Sequence, residues 1–258
     1  MPYHRAVIFE TPLISWQEVS LVAAVPAWSA EYRVGSPRLL LPLTSCFECR
    51  VGASSFVCDS SSALWLTPAQ TYRMRRPSAG QRSALFVFDS LGAGTVRRSA
   101  LPLDQHVSLR AWWRQLAVGR IDRLTLEENL IDLWHTFLNL TDDRPGLPHR
   151  AVERAREYVA SDPGRDDTLI EIARAAHCSP YHLARLFRRH TGRSLHRYRT
   201  QLRMALALDR LQRGERDLNT LAADLGYASH SHFTATFRRT FGVVPNQMRR
   251  NLTAQIVR

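Results

Sequence analysis

The stretch SPYHLARLFRRHTG, residues 179–192, decides the fold because it returns fifty residues later as SHSHFTATFRRTFG, residues 229–242. Both copies keep the first serine, a histidine three residues later, the Phe-Arg-Arg triplet and the closing glycine. Similarity at a fixed period indicates a duplicated structural unit. Each copy follows a short apolar segment at helical spacing, so the repeated unit is predicted to be a helix, a tight turn and a second helix.

Local chemistry predicts where the helices of the first copy begin and end. Thr168 and Glu171 have the spacing of a capping box, and a stripe of apolar residues follows them. Ser179 is suited to cap the next helix, and Pro180 takes its first position, where a missing N–H costs nothing. Gly192 is suited to end that helix because glycine readily adopts a left-handed conformation.

The second copy follows the same plan with one difference. Asp217 is suited to cap its first helix, Ser229 its second, and Gly242 ends the second. The first helices of the two copies align at an offset of 49 residues rather than 50, so the second turn is one residue longer. Between the copies, residues 195–213 predict one continuous helix of roughly 28 Å, which would fix the distance between the two units.

The first hundred residues have a different pattern. Short apolar runs alternate with Pro, Gly and Ser from about residue 6 to residue 100, which predicts many short strands in a small barrel or sandwich. Helices are predicted at about 104–118 and 126–140, the second beginning with a capping box of Thr125 and Glu128. The fold class is therefore α+β in two domains, with these boundaries: a first domain of strands and helices at 1–140, a linker at 141–149, and an all-α domain at 150–258.

An apolar stripe on the helix predicted at 126–140 has two interpretations. Leu130, Trp134 and Phe137 lie on one face of this helix. They either cover the sheet of the same chain or also contact the second subunit of a homodimer.

Charge is concentrated in the repeat-containing part of the chain. Residues 149–258 contain 20 arginines against 10 acidic residues, whereas the rest of the chain contains 15 arginines against 13 acidic residues. A basic domain approaches phosphates favourably because it releases condensed counterions. Two reading helices about 34 Å apart would meet successive major grooves, so we expect double-stranded DNA as the partner.

Compartment and membrane association are also predicted from the sequence. No apolar run approaches the ~20 residues that span a bilayer, and residues 1–4 show no signal-peptide pattern. We therefore expect a cytoplasmic protein without a membrane partner. In that compartment the four cysteines are expected to be thiols or metal ligands rather than disulfides.

Residues 152–250 resemble the DNA-binding domain of the AraC/XylS family of bacterial transcription regulators. The match includes the Gly226-Tyr227 turn, Phe233, the Phe237-Arg238 pair, the Phe241-Gly242 pair and Pro245. Residues 65–74, WLTPAQTYRM, resemble more loosely the cupin-like sensor barrels that are often fused to this domain. The resemblance implies a cupin-like β-barrel with helices, followed by two helix-turn-helix units joined by a long helix.

The resemblance also implies a function. Members of this family typically bind DNA as the output of a small-molecule or stress signal, commonly as dimers. We therefore expect a sequence-specific transcription regulator, with RNA polymerase as a further partner if it is an activator. No enzymatic activity and no cofactor are expected.

The family's base-contact positions correspond here to Tyr181, Ala184 and Arg185 in the first reading helix. In the second they correspond to Ser231, His232 and Ala235. The two alanines depart from the polar residues often found there and leave only an apolar contact, such as one with a thymine methyl group. The full set of candidate DNA-binding residues is Ser179, Pro180, Tyr181, His182, Arg185, Arg188, Arg189, Ser229, His230, Ser231, His232, Arg238 and Arg239.

These candidates are expected to play different roles. Arg185 is the best candidate for base recognition because a guanidinium can donate two hydrogen bonds to guanine O6 and N7. The Arg-Arg pairs at 188–189 and 238–239 are expected to contact phosphates or solvent. His182 and His232 either contact DNA or serve local capping and packing.

A cluster of cysteines is the candidate for signal chemistry in the first domain. Cys46, Cys49 and Cys58 lie within thirteen residues, and a Cys-x-x-Cys pair can bind zinc or form a redox couple. No second ligand pair is present, and a spacing of three in a strand places Cys46 and Cys49 on opposite faces. Three interpretations stay open: buried structural thiols, a thiol sensor, and a metal site.

Other functions fit the sequence less well. No histidine occurs between His4 and His106, which argues against a metal-dependent cupin enzyme, and no Gly-x-Ser-x-Gly elbow supports a hydrolase. A DNA-repair methyl acceptor would need a richer cysteine cluster, and a DNA-binding module gated by a partner protein is a further alternative. For a small-molecule effector, the candidate pocket residues are Trp28, Trp65, Tyr72 and Arg82.

Overall fold

The computed structural model describes residues 3–21, 27–75, 80–89, 97–139 and 149–253. Ten strands come first in the chain: β1 (Tyr3–Glu10), β2 (Ile14–Leu21), β3 (Tyr32–Arg33), β4 (Arg38–Thr44), β5 (Cys46–Val51), β6 (Ser54–Asp59), β7 (Ser62–Leu66), β8 (Thr71–Arg75), β9 (Gln81–Phe88) and β10 (Arg97–Ala100). Nine helices follow within the described ranges: α1 (Leu103–Ala117), α2 (Arg123–Asn139), α3 (Arg150–Ser161), α4 (Leu169–Ala175), α5 (Pro180–Thr191), α6 (Leu195–Gln212), α7 (Leu218–Asp224), α8 (His230–Phe241) and α9 (Pro245–Thr253). None of these helices is long and apolar enough to cross a membrane.

The strands form two antiparallel sheets. One has six strands in the order β1-β2-β9-β4-β7-β10, and the other has four in the order β3-β8-β5-β6. This arrangement agrees with the predicted α+β class, while a cupin-like closed barrel stays a prediction. The predicted linker lies outside the described residues except for His149, whose imidazole accepts a hydrogen bond from Ala151 N at the start of α3.

The six-stranded sheet contributes side chains to two cores, one on each of its faces. Leu40 points inward and packs with residues of the four-stranded sheet such as Phe47. Its neighbours Leu39 and Leu41 point to the other face, where α1 and α2 cover the sheet. Successive residues of a strand face opposite sides, so one strand serves both cores.

The stripe on α2 belongs to the second of these cores. Leu130, Trp134 and Phe137 are at most 7% exposed, and the Trp134 ring lies 6.0 Å from that of Trp65. The interpretation as a cover for the sheet is therefore confirmed, and a dimer contact through these three side chains is wrong because the same chain already buries them.

The predicted start of α2 is also corrected. Both the amide and the hydroxyl of Thr125 donate to the Asp122 carboxylate, at 2.9 and 2.6 Å, and the helix begins at Arg123. Asp122 therefore caps the helix, and Thr125 lies inside its first turn. Asp and Thr are both competent caps, so residue type alone did not distinguish them.

The predicted helix boundaries of the repeat-containing part are confirmed. Thr168 and Glu171 form a complete capping box, and Ser179 and Ser229 accept hydrogen bonds from the amides three residues later. Gly192 and Gly242 end their helices with φ of 71° and 75°. Helix α6 ends at Gln212, one residue earlier than predicted, and α9, which the sequence did not predict, packs against α6.

The two parts of the chain share an apolar interface. Cys46 and Val57 come from β5 and β6, yet they pack in one cluster with α3, α4, α5 and α6. Their neighbours Phe47, Phe56 and Cys58 face the core between the two sheets. The hairpin β5–β6 therefore contacts the sheet core with one face and the helical core with the other.

Buried ion pairs reinforce this interface. Asp59 is fully buried and accepts hydrogen bonds from Arg156 of α3 at 2.6 Å and from the Tyr198 hydroxyl of α6 at 2.8 Å. Glu153 of α3 accepts from both terminal nitrogens of Arg98 on β10. Breaking a buried pair by removing one partner leaves an uncompensated charge, so this junction resists separation.

We predict a pH dependence from His106, a fully buried residue of α1. Its Nε2 donates to Ser60 O at 2.6 Å, and its Nδ1 accepts from Arg110. Burial and the Arg110 cation lower the pKa of His106 to about 3, against an ordinary value of 6.5. Between these two values the unfolded chain binds a proton that the folded protein excludes, so stability falls as pH drops. The His106 contribution to the free energy of unfolding should decrease by about 2 kcal/mol from pH 7 to pH 5.

Urea unfolding at both pH values measures this effect. The His106→Gln variant keeps a donor towards Ser60 and should lack this part of the pH dependence. The matched control His196→Gln removes an exposed histidine and should behave like the wild type. Equal pH dependence in wild type and His106→Gln would contradict the prediction.

Candidate nucleic-acid interface

Helix α5 presents a continuous exposed face. Tyr181, at its first turn, is 90% exposed, and His182, Ala184 and Arg185 are exposed beside it. The opposite face is anchored by Leu183, Leu186 and Phe187, which are buried. All three base-contact positions that the family resemblance assigns to this helix therefore face solvent.

Helix α8 has the same construction. Ser231, His232 and Ala235 are exposed, whereas Phe233 and Phe237 are fully buried. The His232 ring packs edge-on against Tyr227 at 5.2 Å, so packing accounts for part of its role. His230, the first residue of α8, is also exposed, and its Nε2 lies 3.4 Å from the Thr234 hydroxyl.

The serine and proline candidates serve first to build these helices. The hydroxyls of Ser179 and Ser229 accept from the amides of His182 and His232, at 3.3 and 3.1 Å. Their capping role is therefore established by geometry. Pro180 is the first residue of α5 and half-buried.

The arginines of both helices are available to an anionic partner. Arg185, Arg188, Arg189 and Arg238 are exposed, and none of them takes part in the ion pairs formed within the described ranges. Arg239 is also exposed, and its guanidinium lies 3.5 Å from the Thr236 hydroxyl. Exposed guanidiniums without an acidic partner create a positive potential around each helix, which attracts a phosphate backbone.

The two reading units are also in contact with each other through the loops that precede α4 and α8. Arg203, from the middle of α6, donates to Pro163 O at 2.7 Å on the side of the first unit and to Gly226 O at 3.1 Å in the turn of the second. Sequence analysis did not single out Arg203, because its partners are separated from it by 23 to 40 residues and no local pattern marks them.

A cavity of about 710 Å³ opens between the two sheets. Of the four predicted effector residues, it brings together Trp28 and Tyr72. Trp65 instead packs on the other side of the six-stranded sheet, and Arg82 binds Glu18 and Asp209. The assignment of these last two residues to a pocket is therefore corrected.

The cavity has a polar feature that sequence analysis missed. Its lining is mainly aliphatic and aromatic, but Arg5 and Arg38 are part of it, and neither forms an ion pair with a described acidic residue. The Arg38 side chain also hydrogen-bonds the Tyr72 hydroxyl. Sequence spacing could not identify the two arginines, because they lie on β1 and β4, which are not neighbours in the sheet.

The three clustered cysteines do not form one site. Cys46 packs against the helices and Cys49 and Cys58 lie in the sheet core, so the expected opposite orientation of Cys46 and Cys49 is confirmed. Within the described ranges, no group of three His, Cys, Asp or Glu residues is arranged to hold a metal ion. The metal assignment of Cys46, Cys49 and Cys58 therefore has no geometric support.

Two exposed helices on matched scaffolds, with unpaired arginines on both, define a DNA-binding protein of the paired helix-turn-helix class. A family model described as "Helix-turn-helix domain" matches residues 172–251. The regulatory protein SoxS of Salmonella typhimurium is 37% identical over 81 residues, which cover 31% of this chain and 76% of SoxS. An AraC-like transcription regulator of Streptomyces lividans is 32% identical over 108 residues, 42% of this chain and 36% of that protein.

The chain belongs to the AraC family of transcription regulators. The matches span only 35% to 41% of the length of several other curated relatives. Among solved structures, ToxT from Vibrio cholerae with a bound unsaturated fatty acid aligns over 95% of this chain and 98% of that chain, with 14% identity and a TM-score of 0.40.

Burial predicts that the clustered thiols react slowly. It raises the pKa of Cys49 from 9.0 to about 12 and the pKa values of Cys46 and Cys58 well above their ordinary value. A shift of this size reduces the thiolate fraction roughly a thousandfold, and only the thiolate is the nucleophile. Iodoacetamide at pH 8 should therefore modify half-buried Cys178 first, and peptide mass spectrometry would measure the order.

A denatured sample, in which all four cysteines should react alike, is the control. Rapid modification of Cys46, Cys49 or Cys58 in the folded protein would instead favour the thiol-sensor interpretation.

Proposed function

We propose that this protein is a sequence-specific transcription regulator that reads double-stranded DNA with α5 and α8 in successive major grooves. The observation that carries the proposal is the duplicated exposed face, in which both helices have the same serine cap, a buried phenylalanine at the same position (Phe187 and Phe237) and the same outward arginine pair. A face that is exposed, basic and supported from behind is suited to a groove of DNA.

The side chains divide into two groups by position. Tyr181 and Arg185 lie near the beginning of α5, where side chains of a recognition helix reach base edges. The arginines at 188–189 and 238–239 lie in the last turns, where we assign them to the phosphate backbone. Ala184 and Ala235 offer only a methyl group and suit apolar contact with thymine.

DNA selected from random sequence by the full-length protein tests this proposal. Footprinting should show two protected major-groove segments on one side of the duplex, about one helical turn apart. Arg185→Ala should cost about 1–3 kcal/mol of binding free energy and relax the preference at one base position. One short protected segment per subunit would contradict reading by two helices.

Arg239→Ala is the matched control. It should weaken binding to all sequences alike and reduce the dependence of affinity on salt by about one counterion. A change in base preference in this variant would show that our division between base and phosphate contacts is wrong.

We further propose that the cavity between the two sheets binds the effector, a small, largely apolar molecule with an acidic group. Aliphatic residues such as Val19, Leu66 and Leu85 line its walls, and a pocket of several hundred Å³ is the size that small ligands use. Arg5 and Arg38 form no ion pair with an acidic residue in the part of the chain that the structure describes, and they would supply charge-assisted hydrogen bonds to a carboxylate.

The coupling of this cavity to DNA reading is supported by the hairpin β5–β6. Cys49 and Phe56 pack in the core beside the cavity, while Cys46 and Val57 of the same strands pack against α3 to α6. A ligand that shifts the hairpin would therefore shift the scaffold of the first reading unit. We also propose that the protein assembles as a homodimer and that, if it is an activator, it contacts RNA polymerase.

A thermal-shift screen tests the effector proposal. Apolar carboxylic acids should raise the melting temperature of the wild type by a few degrees at saturating concentration, because a ligand that binds only the folded state stabilises it. The matching neutral amides should act weakly. Arg38→Met should lose the response to the acids but keep the unliganded melting temperature within a few degrees.

Leu40→Trp, which fills the cavity from its inner wall, should abolish every response. Equal responses to acids and amides would remove the role of the two arginines. No response to any small molecule would favour a partner protein as the signal.

A further inference from the structure

Arg203 of α6 forms hydrogen bonds with backbone carbonyls on the sides of both reading units. Its guanidinium donates through Nε to Pro163 O at 2.7 Å and through Nη2 to Arg165 O at 3.2 Å. On the other side, Nη1 donates to Gly226 O at 3.1 Å. The first two carbonyls belong to the loop between α3 and α4, and the third belongs to the turn between α7 and α8. One planar cation thus joins the two reading units directly.

The backbones that Arg203 joins are in contact with each other. A Cβ atom on Gly164 would lie 2.1 Å from Asp224 O, and one on Gly226 would lie 2.0 Å from Gly164 O. Both distances are far below van der Waals contact, so neither position has room for a side chain. Gly226 also has φ of +70°, whereas the backbone of Gly164 lies outside the left-handed region.

Each side of this contact is connected by packing to one of the reading helices. The guanidinium of Arg203 lies 5.4 Å from the Tyr227 ring, which packs against His232 and Phe233 of α8. On the other side, the loop ends at Thr168, the cap of α4, and α4 packs on α5. The contact therefore lies between the supports of α5 and α8.

Helix α6 alone does not fix how the two units are oriented. Both units pack against α6, the first through Tyr198 and Leu202 and the second through Met204 and Leu208. Such apolar contacts have no fixed direction, so they oppose rotation of the units less specifically than hydrogen bonds do. The fork of a guanidinium has fixed geometry, and bonds to carbonyls on both sides oppose such rotation. The close approach of the two glycine turns fixes the distance at the same point.

We propose that Arg203, together with the contact between Gly164 and Gly226, is a positioning element that sets the spacing and relative rotation of the two DNA segments the protein accepts. This inference rests on the proposed function, since it requires that both helices bind DNA. One inserted base pair moves the second segment by about 3.4 Å along the duplex axis and roughly 35° around it. A rigid junction must reject that displacement, and a loosened junction must tolerate it.

The experiment measures affinity for a series of DNA duplexes. The selected site is resynthesised with one or two base pairs inserted or deleted between the two footprinted segments, and a further duplex has one segment scrambled. Fluorescence anisotropy at fixed salt gives the dissociation constant of the full-length protein for each duplex. The wild type should lose affinity on the order of tenfold for each shifted spacing.

Arg203→Met is the main variant. It should bind the shifted duplexes within about threefold of the original spacing, while its affinity for the duplex with one scrambled segment stays within about twofold of the wild type. Arg203→Lys keeps the charge but cannot reach carbonyls on both sides, so it should flatten the spacing preference as well. Gly164→Ala should do the same, because it separates the backbones without left-handed strain.

Arg199→Met is the matched control. Arg199 lies one turn earlier on α6 and donates to Asp167 O at 2.7 Å and Arg165 O at 3.4 Å, with no bond to the second unit. It should keep the wild-type spacing preference. If Arg203→Met does not fold, Arg203→Lys and Gly164→Ala carry the same test.

Two results would overturn the inference. One is a spacing preference in these variants equal to that of the wild type. The other is an equal loss of single-segment affinity in Arg199→Met and Arg203→Met, which would indicate only a general structural role. Protection of a single segment by the wild type would instead overturn the proposed function itself.

Discussion

Asp59 lies where strand β6 meets helices α3 and α6, and its carboxylate is completely buried. Burial alone would raise the pKa of Asp59, but Arg156, the Ser61 hydrogen bonds and the Tyr198 hydroxyl hold it below its ordinary value. The side chain is therefore a charged group that needs its partners from distant parts of the chain. A displacement of the sheets on the helices that separated the carboxylate from these partners would leave a buried charge uncompensated.

The hairpin β5–β6, which ends at Asp59, packs on both of its faces. Its alternating side chains belong to two different cores, so neither the sheet domain nor the first reading unit is packed independently of the other. A second ionic contact, from Arg82 on β9 to Asp209 at 2.6 Å, ties the six-stranded sheet to α6. The sheets and the helices are therefore joined by apolar packing and by ionic contacts.

The features that could be predicted from the sequence depend on residues that are close together along the chain. The caps Thr168, Ser179 and Ser229 each accept a hydrogen bond from the amide three residues later. The alternation of side chains along a strand places Cys46 and Cys49 on opposite faces. Arg82 was misassigned to a pocket because its partner Asp209 is 127 residues away. Arg38 and Arg203 were missed for the same reason, since their surroundings exist only after folding.

The turns of the two reading units differ in what they permit. His177 corresponds to Gly226 at the offset of 49 residues, and both are left-handed, with φ of 55° and 70°. A histidine is accepted there at a modest conformational cost because the first turn has room for a side chain, whereas the second lies against Gly164. The first turn therefore accepts a residue with a side chain, and the second is restricted to glycine. The two units are alike in backbone conformation but unequal in tolerance of substitution, because the second unit bears the constraint that keeps the pair together.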